Sequence, residues 1–349
     1  MRVIRPLNVA RLLALLLAFG VCIPSVAAEG ATKKKTTTRT VAKKPAYSAS
    51  ASQARKARLA RARVAARARE QARVQALQEA MRPRFKTDAT GALVPDIRAA
   101  AAIIFDPESG QVLWEENAQD KRSIASITKV MTALVFLEDS PDLAKEITVE
   151  RGDVYAASTT YLRANDRITL DDVLHLTLIA SDNAAARVLA RVSHGGTAPF
   201  IERMNEKAVE LGLESTSFTD PSGLNPANVS SAYDLSRLIS FASANETIAP
   251  IMRTAAYSAR TSRRTINIRN TNHLVRGGEV DVLGGKTGFI TKAGYCLATL
   301  LRLPQSNHQV AVVVLGAGSN NGRFWETRHL FNWLADKASD AFAKEQEAK

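Results

Sequence analysis

Residues 123–133 read SIASITKVMTA, and this segment determines how the rest of the chain is interpreted. Within it, Ser126 and Lys129 are three positions apart, and apolar residues continue at helical spacing through Glu138. Residues at this separation lie on one face of a helix, one turn from each other. We therefore predict a helix start that presents a hydroxyl and an amine together, where a lysine of lowered pKa can take the serine proton. On this pair alone, an ordinary helix-start serine with a surface lysine remains open.

Two further groups of polar residues occur at positions where folding alone does not require polar side chains. Ser181-Asp182-Asn183 interrupts an apolar helical stretch, where a serine can relay protons and Asn183 can hydrogen-bond a substrate amide. Lys286-Thr287-Gly288 is expected at the start of a strand. A cation and a hydroxyl beside a glycine allow close approach of a peptide and recognition of its terminal carboxylate.

The hydrophobic pattern around these motifs predicts one α/β domain. A hairpin of strands is expected at residues 99–106 and 111–116, with a Pro-Glu-Ser-Gly turn between them. Three adjacent strands are expected near the other end, at 282–290, 295–303 and 309–315. The predicted helices are 169–180, 184–192, 201–211 and 323–335, the last with Phe324, Phe331 and Trp333 toward a core. Strands at both ends with helices between them indicate a sheet assembled from the two termini.

Charge is distributed very unevenly along the 349 residues. The net charge is +13, but Lys and Arg outnumber Asp and Glu by 17 to 3 in residues 29–86, and residues 87–349 carry −4. With 46% hydrophobic residues the chain can bury a sizeable core, which excludes a wholly disordered or fibrous protein. We interpret it as a mildly acidic domain behind a strongly basic arm.

The amino terminus has the pattern of a secretory signal peptide. Arg2, Arg5 and Arg11 precede the apolar residues 12–23, and small residues follow up to Ala28, where we expect cleavage. The apolar run of 12 residues is too short for a membrane anchor, which needs about 20. Val21 before Cys22 disfavours a lipoprotein. Cleavage would leave Cys296 as the only cysteine, so no internal disulfide is expected.

The basic arm, residues 29–86, has low complexity. Residues 33–38 and 46–52 have too few apolar side chains to offset the entropy of ordering, so we expect disorder there. Residues 54–81 are rich in helix formers but have only a sparse apolar stripe, which predicts a transient helix without a core. The arm is either a solvated spacer or an electrostatic attachment to an anionic envelope surface. Export removes nucleic acid as a partner.

In the order Ser126, Ser181, Lys286, the motifs resemble those of the penicillin-recognising serine peptidases, S-x-x-K, S-x-N and K-T-G. Residues 123–133, the sequence TDPSGL at 219–224 and KTGF at 286–289 are similar to the low-molecular-mass D-alanyl-D-alanine peptidases of the penicillin-binding protein 7 type. The resemblance covers roughly residues 99–334 and none of the arm. It implies a β-lactamase/transpeptidase-like α/β fold for residues 87–349, with an antiparallel sheet flanked by helices.

The resemblance also implies a role for each matched residue. Ser126 would be the acyl-ester nucleophile, Lys129 its general base and Ser181 a proton relay. Substrate binding would fall to Asn183, Lys286, Thr287 and Gly288, and the oxyanion hole to the backbone N–H groups of Ser126 and Phe289. The implied partners are peptidoglycan, in the periplasm, and β-lactam inhibitors that are released slowly. We expect neither a cofactor nor a metal.

Within this class, two related activities compete with an endopeptidase that cuts cross-links. A class A β-lactamase needs a glutamate in E-x-x-L-N, but Leu224-Asn225 has Pro221 in the glutamate position, and the other Leu-Asn pair is Leu7-Asn8. Carboxypeptidases of the family typically add an all-β domain and an amphipathic anchor. Only 63 residues follow Lys286, and residues 336–349 contain Phe342 as the single large apolar side chain, so we favour the endopeptidase.

Three functions outside the class fit the sequence less well. The sequence lacks the G-x-S-x-G elbow of a Ser-His-Asp hydrolase, so we expect structural or exposed positions for His175, His194, His273, His308 and His329. Gly285-Lys286-Thr287 suggests a phosphate loop, but Val280 stands where that motif needs glycine, and a strand follows it. A non-catalytic envelope-binding protein would have no need of Ser126, Lys129 and Lys286 together.

Overall fold

The computed structural model describes residues 49–304 and 307–347, and within them the side chains of residues 53–339. The helices are α1 (Ala49–Met81), α2 (Lys129–Glu138), α3 (Arg151–Val154), α4 (Leu170–Leu178), α5 (Asn183–Val192), α6 (Thr197–Glu210), α7 (Ala232–Ser243), α8 (Ile248–Arg253), α9 (His273–Gly277) and α10 (Asn320–Glu347). The strands are β1 (Phe85–Thr87), β2 (Leu93–Pro95), β3 (Ala101–Phe105), β4 (Val112–Glu116), β5 (Arg122–Ser123), β6 (Glu146–Thr148), β7 (Arg167–Thr169), β8 (Val229–Ser230), β9 (Ala256–Arg260), β10 (Thr265–Arg269), β11 (Asp281–Ile290), β12 (Gly294–Arg302) and β13 (Gln309–Ala317). A 3₁₀ turn, Ala125–Thr128, leads directly into α2.

The central sheet joins the two ends of the sequence, as predicted. Its order is β11-β12-β13-β3-β4, and every neighbouring pair is antiparallel. The junction is between β3 and β13, where Val313 lies opposite Ile103. The predicted hairpin of β3 and β4 is present, and its turn ends on Gly110 with φ of 74°, a conformation that glycine adopts without strain.

The sheet is buried on both faces. Ile103 belongs to the core formed with α2, α4, α5 and α7, whereas its neighbour Ile104 belongs to a second core beneath α10. Successive side chains of a strand point to opposite faces, so a strand covered on both sides is apolar throughout. This explains the uninterrupted apolar sequences of β3 and β13.

Most predicted elements are present, with shifted ends. Helices α4 and α5 match the predicted pair, α6 begins earlier than expected at Thr197, and α10 extends well beyond residue 335. The hairpin of β9 and β10 was not predicted, although exposed and buried residues alternate in β10. Lys286 lies in the second half of β11, so the expectation that Lys286-Thr287-Gly288 starts a strand was wrong.

The apolar side chains of helix α1 are largely exposed, as the composition of the helix suggests. Leu59 and Val64 are 52% and 66% exposed, although both are apolar. The helix begins at Ala49, so the expectation of disorder over residues 46–52 was wrong for residues 49–52, where two of the four residues are alanine, a strong helix former. The predicted signal peptide and residues 29–48 of the arm lie outside the described residues. Among those described, no helix combines the length and apolar composition needed to cross a membrane.

The chain divides after Arg67 into two units, and the second unit contains the sheet together with the end of α1. Within this second unit, the Arg98 guanidinium donates hydrogen bonds of 3.2 Å to the carbonyls of Glu79 and Ala80. Arg84 forms a 2.7 Å ion pair with Asp96. Strand β1 crosses the boundary that we expected after residue 86, and it pairs with β2. Residues 79–87 are therefore attached to the folded unit.

Candidate active site

An open cavity of about 490 Å³ is formed by residues of the 3₁₀ turn, the α4–α5 connection and β11. Six of the residues singled out in the sequence line it: Ser126, Ser181, Asn183, Thr287, Gly288 and Phe289. Lys129 and Lys286 are fully buried and donate hydrogen bonds to Ser126 and Ser181 respectively. The fold thus brings all eight predicted residues to one place, although they are spread over more than 160 positions of sequence.

Ser126 lies in a backbone turn that is held in an unusual conformation. The preceding residue, Ala125, has φ of 48°, in the left-handed region that residues with a side chain rarely adopt. Lys129 is the first residue of α2, and its Nζ lies 2.8 Å from Ser126 Oγ. The predicted proximity of hydroxyl and amine at a helix start is confirmed.

The amine of Lys129 is held by two other acceptors. Its Nζ donates to Asn183 Oδ1 at 2.6 Å and to the carbonyl of Ser222 at 2.5 Å. Burial lowers the pKa of Lys129 from its ordinary value to about 7, although the nearby carboxylates of Asp182 and Asp220 act in the opposite direction. A substantial fraction of this amine is therefore neutral at neutral pH.

A second serine–lysine pair lies in the same site. Ser181 connects α4 to α5 with φ of 60°, and its Oγ accepts a 2.7 Å hydrogen bond from Lys286 Nζ. Burial lowers the pKa of Lys286 well below its ordinary value, and the positive charges of Lys129 and Arg323 add to this shift. Strand β11 is an edge strand of the sheet.

Asn183 connects Lys129 of the first pair to the segment that contains Ala157. Its Oδ1 accepts from Lys129, and its Nδ2 donates to the carbonyl of Ala157 at 2.8 Å. Both ends of the side chain thus have protein partners in this state, and its contact with a substrate amide stays a prediction. Thr287 Oγ1 donates to Thr271 Oγ1 at 2.7 Å.

Gly288 allows β11 to approach the nucleophile turn. A Cβ at this position would lie 2.6 Å from the carbonyl oxygen of Ile124 and 3.3 Å from the backbone nitrogen of Ile127, so any other residue would separate the two segments. The next residue, Phe289, is 49% exposed and stacks on Tyr295 with 4.2 Å between ring centroids. The oxyanion role of the Ser126 and Phe289 N–H groups stays a prediction.

Asn228 is fully buried, and none of the sequence motifs includes it. Asn228 Oδ1 accepts hydrogen bonds from the backbone nitrogens of Thr219 and Asp220, at 2.8 and 3.2 Å. Asn228 Nδ2 donates to Thr128 Oγ1 at 3.0 Å and to the carbonyl of Asp220 at 2.8 Å. This side chain joins the loop that supplies the Ser222 carbonyl to the turn that carries Ser126. Nothing in the local sequence marks it, because Thr128 is 100 residues away.

Arg323 is a second residue of the site that no motif marked. It lies near the start of α10, lines the cavity, and donates to the carbonyls of Gly288 and Cys296 at 2.9 and 3.2 Å. Burial lowers its pKa to about 10, at which it is still charged at neutral pH. Arg323 therefore adds positive charge beside Lys286.

The histidines take no part in this cavity. His175 stacks on Tyr257, His273 stacks on Phe324, and a ring nitrogen of His329 lies 2.7 Å from the carbonyl oxygen of Arg84. None of the five histidines is among the residues that line the cavity. In the part of the chain that the structure describes, no group of three or more His, Cys, Asp or Glu is placed to hold a metal ion.

This arrangement defines a class of protein. A serine hydroxyl in contact with a buried amine of near-neutral pKa, beside a second serine–lysine pair and an open cavity, is the machinery of a serine acyl-transfer enzyme of the penicillin-recognising class. Residues 87–319 match the profile of the D-alanyl-D-alanine carboxypeptidase family, peptidase family S11. The chain belongs to this family, as its motifs indicated.

Similar proteins agree with this assignment. The chain is 35% identical over 250 residues to the D-alanyl-D-alanine endopeptidase of Escherichia coli, which covers 70% of this chain and 80% of that protein. It is 32% identical to the D-alanyl-D-alanine endopeptidase of Pseudomonas aeruginosa, over 69% of this chain and 79% of that one. The structure of the Streptomyces K15 DD-transpeptidase superposes with a TM-score of 0.65 at 30% identity, covering 68% of this chain and 97% of that chain. The predicted fold class is confirmed.

Proposed function

We propose that this chain is a D-alanyl-D-alanine endopeptidase that hydrolyses peptidoglycan cross-links through an acyl-enzyme on Ser126. The observation that carries the proposal is the 2.8 Å contact between Ser126 Oγ and the buried amine of Lys129. Similar proteins of Escherichia coli, Pseudomonas aeruginosa and Haemophilus influenzae, 32–35% identical to this chain, are D-alanyl-D-alanine endopeptidases.

The neutral form of Lys129 acts as the general base. A neutral amine has two N–H donors and one lone pair, and the carbonyls of Asn183 and Ser222 accept from the two donors. The lone pair is then left for the Ser126 hydroxyl. Ser126 Oγ attacks the carbonyl carbon of a D-alanine residue while its proton moves to Lys129 Nζ.

The remaining steps use the other residues around the cavity. The backbone N–H groups of Ser126 and Phe289 stabilise the oxyanion of the tetrahedral intermediate. Ser181 passes a proton toward the leaving amine, the carbon–nitrogen bond breaks, and the acyl group stays on Ser126 as an ester. Water then hydrolyses the ester and restores the hydroxyl. A β-lactam enters the same path, but its ring-opened acyl group stays attached to Ser126 longer.

Positive charge selects the substrate. Arg323 is a buried cation beside the cavity, Lys286 is a buried amine that a bound carboxylate would keep protonated, and Thr287 offers a hydroxyl to a carboxylate. We assign substrate contacts to Asn183, Lys286, Thr287 and Gly288. A carboxylate on a peptide or on a β-lactam is attracted to this wall, because burial strengthens the electrostatic interaction.

Carboxypeptidase activity is the second candidate. D-alanyl-D-alanine carboxypeptidases of Bacillus subtilis and Streptomyces are 31% and 33% identical to this chain. Both reactions share the acyl-enzyme and differ in the leaving amine, which is the side-chain amine of a neighbouring stem peptide in one and free D-alanine in the other. Mass analysis of products from purified sacculi separates them. The proposal expects cross-linked dimers to become monomers, whereas release of D-alanine with dimers intact would favour the carboxypeptidase.

We also assign functions to the segments before the catalytic domain, residues 87–349. Residues 1–28 direct export to the periplasm and are removed, and the basic arm contacts an anionic envelope surface. The support for both is composition: the apolar run behind three arginines, and 17 cations against three acids in residues 29–86. Fluorescent penicillin labelling tests the alternative of a non-catalytic envelope protein, which would not be labelled.

A further inference from the structure

A second cavity, of about 510 Å³, is lined by residues that directly follow part of the active-site wall in the chain. One wall is residues 160–163, and the other is residues 264–267 at the start of β10. The two cavities share one segment of chain, because Ser158 and Thr159 line the first, and Thr160 and Tyr161 line the second. At the far end of β10 the chain reaches Thr271, which lines the active-site cavity. We call the second cavity the hairpin cleft.

The shared segment is fastened to the catalytic residues. Asp182, between Ser181 and Asn183, accepts hydrogen bonds from the Tyr161 backbone nitrogen at 2.6 Å and from Thr160 Oγ1 at 3.0 Å. On the cleft side, the Arg264 guanidinium donates to the Tyr161 carbonyl at 2.5 Å. The wall between the cavities is therefore held on both sides, and a ligand bound in the hairpin cleft lies beside a fixed active site.

Arginines are concentrated in and around the hairpin cleft. Arg163 lines it, and Arg260 lies opposite Thr265 in the β9–β10 register, on the exposed face of the hairpin. Arg263 and Arg269 are also exposed on this hairpin. Arg264 forms an ion pair with the buried Asp166. The carboxylates of Asp166 and Asp172 accept hydrogen bonds from the backbone nitrogens of Arg163 and Arg260. Among the described residues, no carboxylate forms an ion pair with the guanidinium groups of the other four arginines, which leaves their charges available to a ligand.

We propose that the hairpin cleft binds the carboxylate groups of the second stem peptide of a cross-link, while the first stem occupies the active-site cavity. This inference rests on the proposed endopeptidase function. In a cross-linked substrate the leaving amine belongs to a second peptide, which continues beyond the scissile bond and carries free carboxylates. Guanidinium groups are suited to carboxylates because they present paired donors in a plane.

Other ligands fit the hairpin cleft less well. An uncharged glycan strand has no groups that would pair with the four arginines. An anionic lipid surface is flat and favours apolar side chains that insert, whereas this site is concave and the hairpin buries Ala259, Ile266 and Ile268. Thr265 and Asn267 add hydrogen-bonding groups that a peptide can use.

The test compares two double variants with the same loss of charge. Arg163→Gln with Arg260→Gln removes two of the four available charges at the cleft, and Lys121→Gln with Lys145→Gln removes two exposed charges elsewhere. With a cross-linked peptide dimer at low salt, the cleft variant should raise KM about three- to tenfold without changing kcat, because exposed ion pairs contribute modestly to binding. Its rate of penicillin acylation should equal that of wild type. The control variant should behave as wild type throughout.

A dimer with amidated carboxylates completes the test. Wild type should bind it as weakly as the cleft variant binds the free acid, and 1 M salt should remove the difference between variants. An unchanged KM in the cleft variant would overturn the proposal. The proposal would also be overturned if the cleft variant lost retention on anionic phospholipid vesicles while its KM stayed unchanged. That result would assign the cleft to a lipid surface. If the proposed endopeptidase function itself were wrong, the result would be different, because the wild-type protein would then not cleave the dimer.

Discussion

Gly223 packs so closely against Ala125 that a Cβ on the glycine would lie 2.0 Å from the Ala125 carbonyl oxygen. Both residues have positive φ, 79° and 48° respectively. Ala125 precedes the nucleophile, and Gly223 follows Ser222, whose carbonyl holds the Lys129 amine. This contact joins the turn that positions Ser126 to the loop that orients its base.

Substitution of Gly223 by alanine should therefore damage both stability and acylation. A left-handed residue with a side chain costs about 1–2 kcal/mol by itself, and here the clash with backbone adds to that cost. We expect a lower Tm and loss of most penicillin acylation. Gly91→Ala is the matched control, since Gly91 has φ of 84° but nothing within 4 Å of its added Cβ. Equal effects of the two substitutions would show that the close contact does not matter.

The pH dependence of acylation should report the ionisation of Lys129. Burial lowers its pKa to about 7, so the amine is protonated, and cannot accept a proton, below that pH. The acylation rate should rise about tenfold per pH unit below 7 and level off above it. Stopped-flow measurement with a fluorescent penicillin gives this profile. A profile that is flat between pH 5 and 9 would assign the base to another group.

Arginine in place of Lys129 should abolish acylation while keeping the positive charge. Arginine stays protonated in proteins, so it cannot serve as a base. Lys145→Arg, at an exposed lysine outside the site, should acylate as wild type does. Substantial acylation by Lys129→Arg would contradict the proposed role.

Asn228→Ala should destabilise the domain by about 2–3 kcal/mol, because it leaves several buried groups without their hydrogen bonds. The Ser222 loop should also loosen, which lowers the acylation rate. Thermal unfolding and penicillin labelling measure the two effects. Asn225→Ala removes a side chain of the same type from an exposed position of the same loop and should change Tm little. Similar Tm values for both variants would mean that Asn228 does not fasten the loop.

Removal of part of the arm should weaken attachment to sacculi or anionic vesicles at low salt. The deletion should span residues 29–67 and not 29–86, because residues 79–87 contact the folded unit through Arg98 and the β1–β2 pair. Pelleting against salt should show steep loss for the mature chain, since the Debye length falls from about 10 Å at 0.1 M to about 3 Å at 1 M. Turnover of a small soluble peptide should not change. Equal retention of both chains would make the arm a spacer.

Local sequence patterns predicted the parts of this fold that depend on local physics. The apolar runs of β3 and β13 and the break between α4 and α5 follow from burial and polar interruption, and they were predicted nearly in place. The hairpin of β9 and β10 was missed because its alternation is short and rich in arginine, so only tertiary packing makes it visible.

Only the motif residues of the site could be predicted from the sequence. Ser126, Lys129, Ser181 and Lys286 were identified by order and spacing, which resemble a known family. Without that resemblance, nothing in the local sequence indicates that these four side chains meet in one cavity. Asn228 and Arg323 act through partners that are 100 and 35 residues away, and no periodicity or composition marks such contacts.

The assignment of Ser126 as the nucleophile is tested most directly by locating the covalent adduct that a β-lactam forms. Purified protein is treated with penicillin, digested, and analysed by tandem mass spectrometry, with Ser126→Ala as the control and Ser158→Ala, another serine of the cavity wall, as the matched variant. We expect one penicilloyl group on Ser126 in wild type and in Ser158→Ala, and none in Ser126→Ala. An adduct on any other residue, or one that persists in Ser126→Ala, would contradict the assignment.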